Sequence, residues 1–151
     1  MFKKILVCLD GSNLAEQMLP YAGEVAERFG SSVVLVQVLQ VPSSLAAASA
    51  QGAESVIEEE MRRLAFDSRT YLEGIAGTLR QKGISVEAVA IEGSPGDAIV
   101  EYAKAHDIDL ITIATHGRKN IGRLVFGSVA EHVLKHTAIP VLSIKPDDSK
   151  A

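Results

Sequence analysis

Hydrophobic positions along this chain fall into two rhythms, short unbroken runs and stretches with a helical repeat, and the two alternate from end to end. Ile5 to Leu9 is apolar without alternation and stops at Asp10-Gly11-Ser12, a turn signal. That pattern predicts a strand buried on both faces, as in a parallel sheet. Leu14, Met18, Tyr21, Ala22, Val25 and Phe29 then recur at helical spacing, with Asn13 and Glu16 as a capping box and Gly30 as the stop. VVLVQV at 33–38 is a second buried strand, closing a right-handed βαβ unit. Residues 40–52, QVPSSLAAASAQG, are small, polar and low in complexity. They read as a mobile loop inserted in the domain or as an added helical turn, serving as a lid or as a tolerated insertion.

A long helix is predicted over 53–81, with Ile57, Met61, Leu64, Leu72, Ile75 and Leu79 on one stripe. Its charges run from acidic to basic, which suits the helix dipole and describes a solvated face. SVEAVAI at 85–91 alternates more than the other strands and so belongs at a sheet edge. Ser94, Pro95 and Asp97 mark the start of a helix continued by Ile99, Tyr102, Ala103 and His106. A fourth strand covers 109–114, a short helix 129–135, and a fifth strand runs from Pro140 to Lys145. The domain is expected to span 1–146, with 147–151 a disordered tail. The order β-α-β-α-β-α-β-α-β predicts one doubly wound α/β domain with a five-stranded parallel sheet in order 3-2-1-4-5 and helices on both faces. Ligands in such sheets bind at the carboxyl ends of the strands where the winding reverses, here between strands 1 and 4.

Composition narrows the function without naming it. The chain has 151 residues, 47% hydrophobic and 23% charged, the balance of an ordinary globular protein. With no Trp, three Tyr, four Phe and a net charge of −4, it has neither the stacking surface nor the basic field of a nucleic-acid or membrane binder. No apolar run approaches the roughly 20 residues that cross a bilayer, and the N-terminal apolar run is too short for a signal peptide. A cytoplasmic location is expected.

The stretch from Ile113 to Ser128, IATHGRKNIGRLVFGS, carries the most chemistry: strand, loop rich in glycine and base, then a helix start. That layout suits an anion. Gly117-x4-Gly122 resembles a P-loop, but Arg123 and Leu124 stand where Lys and Ser or Thr are required, so the magnesium hydroxyl is missing. No GxGxxG follows the first strand either. Ser128 with Glu131 matches a capping box that would satisfy its own N–H groups, while Gly117, Arg118, Lys119 and Arg123 add donors and positive charge that favour an anion. Asp10 could accept from a ribose or an adenine amino group or help bind a metal, and an Asx turn explains it equally well. His132 and His136 share a helix face at metal-binding spacing, but no third ligand is placed, and a charge at the helix C-terminus suits His136 better. His116 could touch phosphate or backbone, and Cys8 reads as a core thiol. No catalytic triad or carboxylate pair is apparent.

Three segments together resemble the universal stress proteins over nearly the whole chain: KKILVCLDGS, GSPGDAI and ATHGRKNIGRLVFGSVAEHVLKHTAIPVLSIK. The nucleotide-binding branch of that family carries Gly-x2-Gly-x9-Gly-Ser/Thr, and here the spacing reads Ala114, Gly117, Gly127, Ser128. Ala114 departs from the first glycine, and Cys8 stands where many relatives have proline. The resemblance implies a Rossmann-like fold that dimerises, often through the last strand, and binds ATP or AMP between strands 1 and 4. By position, Asp10 would lie near ribose and adenine, and the backbone of Val38 at the adenine edge. Gly117, Gly127, Ser128 and Val129 would give backbone or hydroxyl donors to the phosphates, Ala114 would lie by the ribose, and Leu9, His116 and Arg118 complete the expected nucleotide-binding set. The leading expectation is a dimeric adenine-nucleotide-binding stress-response module. The alternatives are a slow ATP hydrolase or transferase using magnesium held by phosphates and Asp10, and a structural dimer that binds no nucleotide.

Overall fold

The computed structural model describes residues 1–50, 52–115 and 127–151. Five strands, β1 (Lys4–Leu9), β2 (Ser32–Leu39), β3 (Val86–Glu92), β4 (Leu110–Ala114) and β5 (Val141–Ile144), pair in parallel in the order β3-β2-β1-β4-β5. This is the order expected of the doubly wound domain, with β1 central and the winding reversing between β1 and β4. The helices among the described residues are α1 (Asn13–Glu16), α2 (Leu19–Phe29), α3 (Ser43–Ser49), α4 (Glu54–Gln81), α5 (Pro95–Ala105) and α6 (Ser128–His136).

The unbroken apolar runs are explained by parity. Ile5, Val7 and Leu9 of β1 join Val33 and Leu35 of β2 in a core shared with Ala22 and Ala26 of α2 and Leu72, Ala76 and Leu79 of α4. Leu6 and Cys8 point the other way and join Val34 and Val36 in a second core with Ile99 and Ala103 of α5 and Ala130 and Val133 of α6. Successive side chains of a strand alternate faces, so a strand covered on both must be apolar at every position. β3 lies at one edge and is nowhere fully buried, and its two charged residues, Glu87 and Glu92, are exposed. β5 forms the other edge, and all four of its residues are half-buried. At the amino end of the sheet, Asp109 ties β4 to β1: its carboxylate accepts from the Lys4 N–H at 3.0 Å, and its own N–H donates to the Lys4 carbonyl at 2.9 Å.

Several expectations need correction. The first helix is two helices, because Pro20 sits four residues after Glu16, lacks the N–H that would bond the Glu16 carbonyl, and crowds it. Its cap is Ser12, whose Oγ accepts from the Ala15 N–H at 3.2 Å, in place of Asn13. Within 40–52 the chain forms α3 rather than a loop, the helical alternative, extended to seven residues that pack on α4. The tail is ordered by a clasp with Gln17. The Gln17 Nε2 donates to the Asp147 carbonyl at 2.9 Å, and the Asp147 N–H donates to Gln17 Oε1 at 2.8 Å. Residues Asp148–Lys150 then make one turn of 3-10 helix with Asp147 as its cap. Along α4, Arg62 and Arg63 pair with Glu59 and Glu60 one turn away on exposed surface, the solvated face the charge pattern implies.

Candidate functional site

The carboxyl ends of β1, β2 and β4 and the amino ends of α5 and α6 enclose a cleft of about 960 Å³, a volume suited to a small-molecule ligand. Its floor is apolar and tightly packed. Leu9 is 5% exposed, Cys8 7% and Ala114 8%, and all three line the cleft. Ala114 ends β4 in extended backbone, paired with Ile144. An L-residue is at ease there, and the freedom of a glycine is not needed. Val38, half-buried on β2, faces the cleft from the far side of β1. Burial pushes the Cys8 thiol up to about 12, so it is neutral at ordinary pH and a poor nucleophile, as the sequence suggested.

Asp10 leaves β1 at the cleft mouth in an Asx turn. Its Oδ1 accepts from the Ser12 N–H at 2.9 Å and from the Ser12 hydroxyl at 2.6 Å. Gly11 between them has φ +85°, a conformation that costs other residues about 1–2 kcal/mol. Behind this turn lies a polar group that the sequence concealed. Gln37 of β2 lines the cleft, and its Oε1 accepts from the hydroxyl of Ser68 on α4 at 2.7 Å. Tyr71, also on α4, donates to Glu16 Oε1 at 2.8 Å. Partial burial, Glu16 and the nearby Asp10 all hold the Tyr71 phenol above its ordinary range. Gln37 reads in the sequence as one polar position inside an apolar strand. Only the approach of α4, 31 residues later, gives its amide a partner.

At the opposite wall α6 begins, and here the capping box fails. Gly127 occupies the N-cap position and supplies no side-chain cap, while Ser128 is already helical. Glu131 turns along the helix to Lys135, with 2.6 Å between carboxylate and ammonium, and that contact holds its carboxyl below the ordinary value. The first turn of α6 thus presents Gly127, Ser128 and Val129 to the cleft with no carboxylate folded over its N–H groups. Such a terminus carries partial positive charge.

The start of α5 is held against α6 by close packing. A Cβ on Gly96 would lie 2.6–2.9 Å from the Cδ2, Cγ and Cβ atoms of His132, so only glycine admits this approach. His132 Nε2 lies 2.7 Å from Asp97 Oδ1. His136 stacks on His132 at 4.1 Å between ring centroids and places its Nδ1 2.8 Å from the His132 carbonyl. His132 thus packs against α5 while His136 stacks on it within α6, and no cluster of three or more potential metal ligands occurs among the described residues. The remaining expected site residues, His116, Gly117 and Arg118, together with Lys119, Gly122 and Arg123, lie outside the described residues.

No helix among the described residues is long and apolar enough to cross a membrane. A universal stress protein of Methanocaldococcus jannaschii, MJ0531, is 30% identical over 145 residues, covering 96% of this chain and 83% of that protein. The solved structure of MJ0577, another universal stress protein of that organism, superposes with a TM-score of 0.82 at 28% identity, covering 98% of this chain and 99% of the other. A universal stress protein from Archaeoglobus fulgidus, solved in complex with dAMP, superposes with a TM-score of 0.63 at 26% identity over 96% of this chain and all of the other. Residues 1–145 match the universal stress protein family as a whole. The cleft between β1 and β4 therefore sits in a familiar scaffold: this chain belongs to the universal stress protein family.

Proposed function

We propose that the cleft binds an adenine nucleotide, ATP or AMP, and that the protein works as a nucleotide-responsive regulatory module. The observation that carries this reading is the first turn of α6. It opens on the cleft with Gly127 at its cap and Glu131 drawn off to Lys135. A phosphate there would meet backbone donors and the positive end of a helix. Ser128 and Val129 would then flank the phosphates, with Ala114 near the ribose and His116, Gly117 and Arg118 contributing from the sequence between β4 and α6. Leu9 and Asp10 would lie under the sugar, and Val38 at the base. The dAMP complex of the A. fulgidus relative supports an adenine nucleotide as the ligand class. The hydrolase reading gains less support, since Asp10, its expected magnesium ligand, already holds both Ser12 groups on Oδ1. We place the protein in the cytoplasm.

The test is direct. Small molecules that copurify are released and identified by mass spectrometry, and AMP, ADP and ATP are titrated by calorimetry. Adenine nucleotide should copurify or bind with measurable heat. Val129→Glu should weaken ATP several-fold while leaving adenosine nearly unaffected, because one added carboxylate opposes the phosphates at a helix N-terminus. Absence of bound nucleotide and of heat at millimolar ligand would overturn the reading.

A further inference from the structure

Gln37 has one half of its amide fixed, and among the described residues the other half has no hydrogen-bond acceptor. Ser68, itself 5% exposed, holds Oε1 from the α4 side at 2.7 Å. Nε2 then points at the turn after β1, 3.5 Å from where a Cβ on Gly11 would stand. Nε2 donates to none of the described residues, yet no unsatisfied side-chain nitrogen or oxygen is buried among them. The amide nitrogen therefore keeps contact with solvent, and the space that Gln37 lines is the cleft. A donor whose partner oxygen is pinned by a buried hydroxyl is pre-organised, since little rotamer freedom remains to be lost on binding.

Position along the sheet indicates what this donor meets. The strand ends run in the order β2, β1, β4 toward α6, with neighbours about 4.8 Å apart. If phosphate sits at the α6 end, the sugar falls over β1 and the base toward β2. Gln37 and Leu9 are register partners, and Nε2 leans back from β2 over the end of β1, beside Gly11. We infer that Gln37 is a specificity-determining residue that donates to the 2′-hydroxyl oxygen of the nucleotide's ribose, so that the cleft distinguishes ribonucleotides from deoxyribonucleotides. This inference rests on the nucleotide reading above and adds a residue and a chemical preference to it.

Calorimetric titration of AMP and 2′-deoxy-AMP separates the possibilities. The native protein should bind AMP about three- to tenfold more tightly than 2′-deoxy-AMP, the ratio a single neutral hydrogen bond supports. Gln37→Leu should weaken AMP to the level of 2′-deoxy-AMP and leave 2′-deoxy-AMP unchanged. Gln37→Asn keeps an amide but withdraws it by about 1.5 Å, one methylene. It should also abolish the ratio, and it carries the test if the leucine variant does not fold. Equal affinity of the native protein for both ligands would overturn the inference, as would an equal loss for both ligands in either variant. Failure of the native protein to bind either ligand would instead overturn the nucleotide reading.

Discussion

Ala114 is the one departure from the family's glycine pattern that falls within the described residues, and its surroundings decide what it does. It lies in extended backbone at the end of β4 and is 8% exposed in the cleft floor. Ala114→Gly should therefore change nucleotide affinity by less than about threefold. It should lower stability by about 0.5–1 kcal/mol, the cost of glycine in a strand, measured as a shift in the urea midpoint. A large gain in affinity would show instead that the methyl crowds the ligand. Asp10 shows what a sequence can offer at this scale. Its Asx turn was legible from Asp-Gly-Ser, because that chemistry is local. Gln37 was illegible for the opposite reason: its partner Ser68 and its neighbour Gly11 are brought to it only by the packed fold.

Elements were easiest to read where the chain itself punctuates them and hardest where two local signals compete. Pro20 divides α1 from α2 although the apolar spacing runs unbroken across the division. At α6, Ser128 and Glu131 satisfy the capping pattern, but Lys135 one turn further on takes the carboxylate. The first outcome turns on a proline inside the apolar repeat, the second on a residue beyond the window of the motif. The contact between α5 and α6 is of the same kind, since Gly96 and His132 are unremarkable apart and adjacent in the fold. Gly96→Ala would drive a methyl into His132 and part the two helix starts that wall the cleft. The expected result is a loss of about 1–3 kcal/mol in chemical denaturation, with weaker nucleotide binding measured under conditions where the variant is fully folded. Unchanged stability would mean that the helices re-seat without strain.

At the level of the whole molecule, the fold was the most legible feature, because a central parallel strand has no polar face to disguise it. Strand order was legible only in part from this: the alternation at 85–91 sent one strand to an edge, and the doubly wound arrangement supplied the rest. The opposite edge invites a second copy. The Pro140 and Ile144 carbonyls accept bonds from the β4 side, so by alternation Val141 and Ser143 turn their backbone groups outward, and Val141, Leu142 and Ile144 remain half-buried. We propose that this edge pairs two protomers. Ser143→Pro, which removes an outward N–H, should convert a dimer to a monomer by light scattering; a monomeric native protein would dispose of the proposal.

The single cysteine offers a clock already built into the chain. Cys8 is the only thiol, it belongs to the core between β1 and the α5–α6 layer, and it also lines the cleft. Alkylation in native buffer should therefore proceed only as fast as the protein opens, and an adenine nucleotide should slow it in proportion to its occupancy. Acidity provides a second reading. The thiol is raised from 9.0 to about 12 in the fold, so the unfolded chain releases its proton first. Stability from this group should be complete below pH 9 and decline as pH rises from 9 toward 12. Labelling that is rapid at neutral pH, or indifferent to saturating nucleotide, would show that the floor of the cleft opens independently of its ligand.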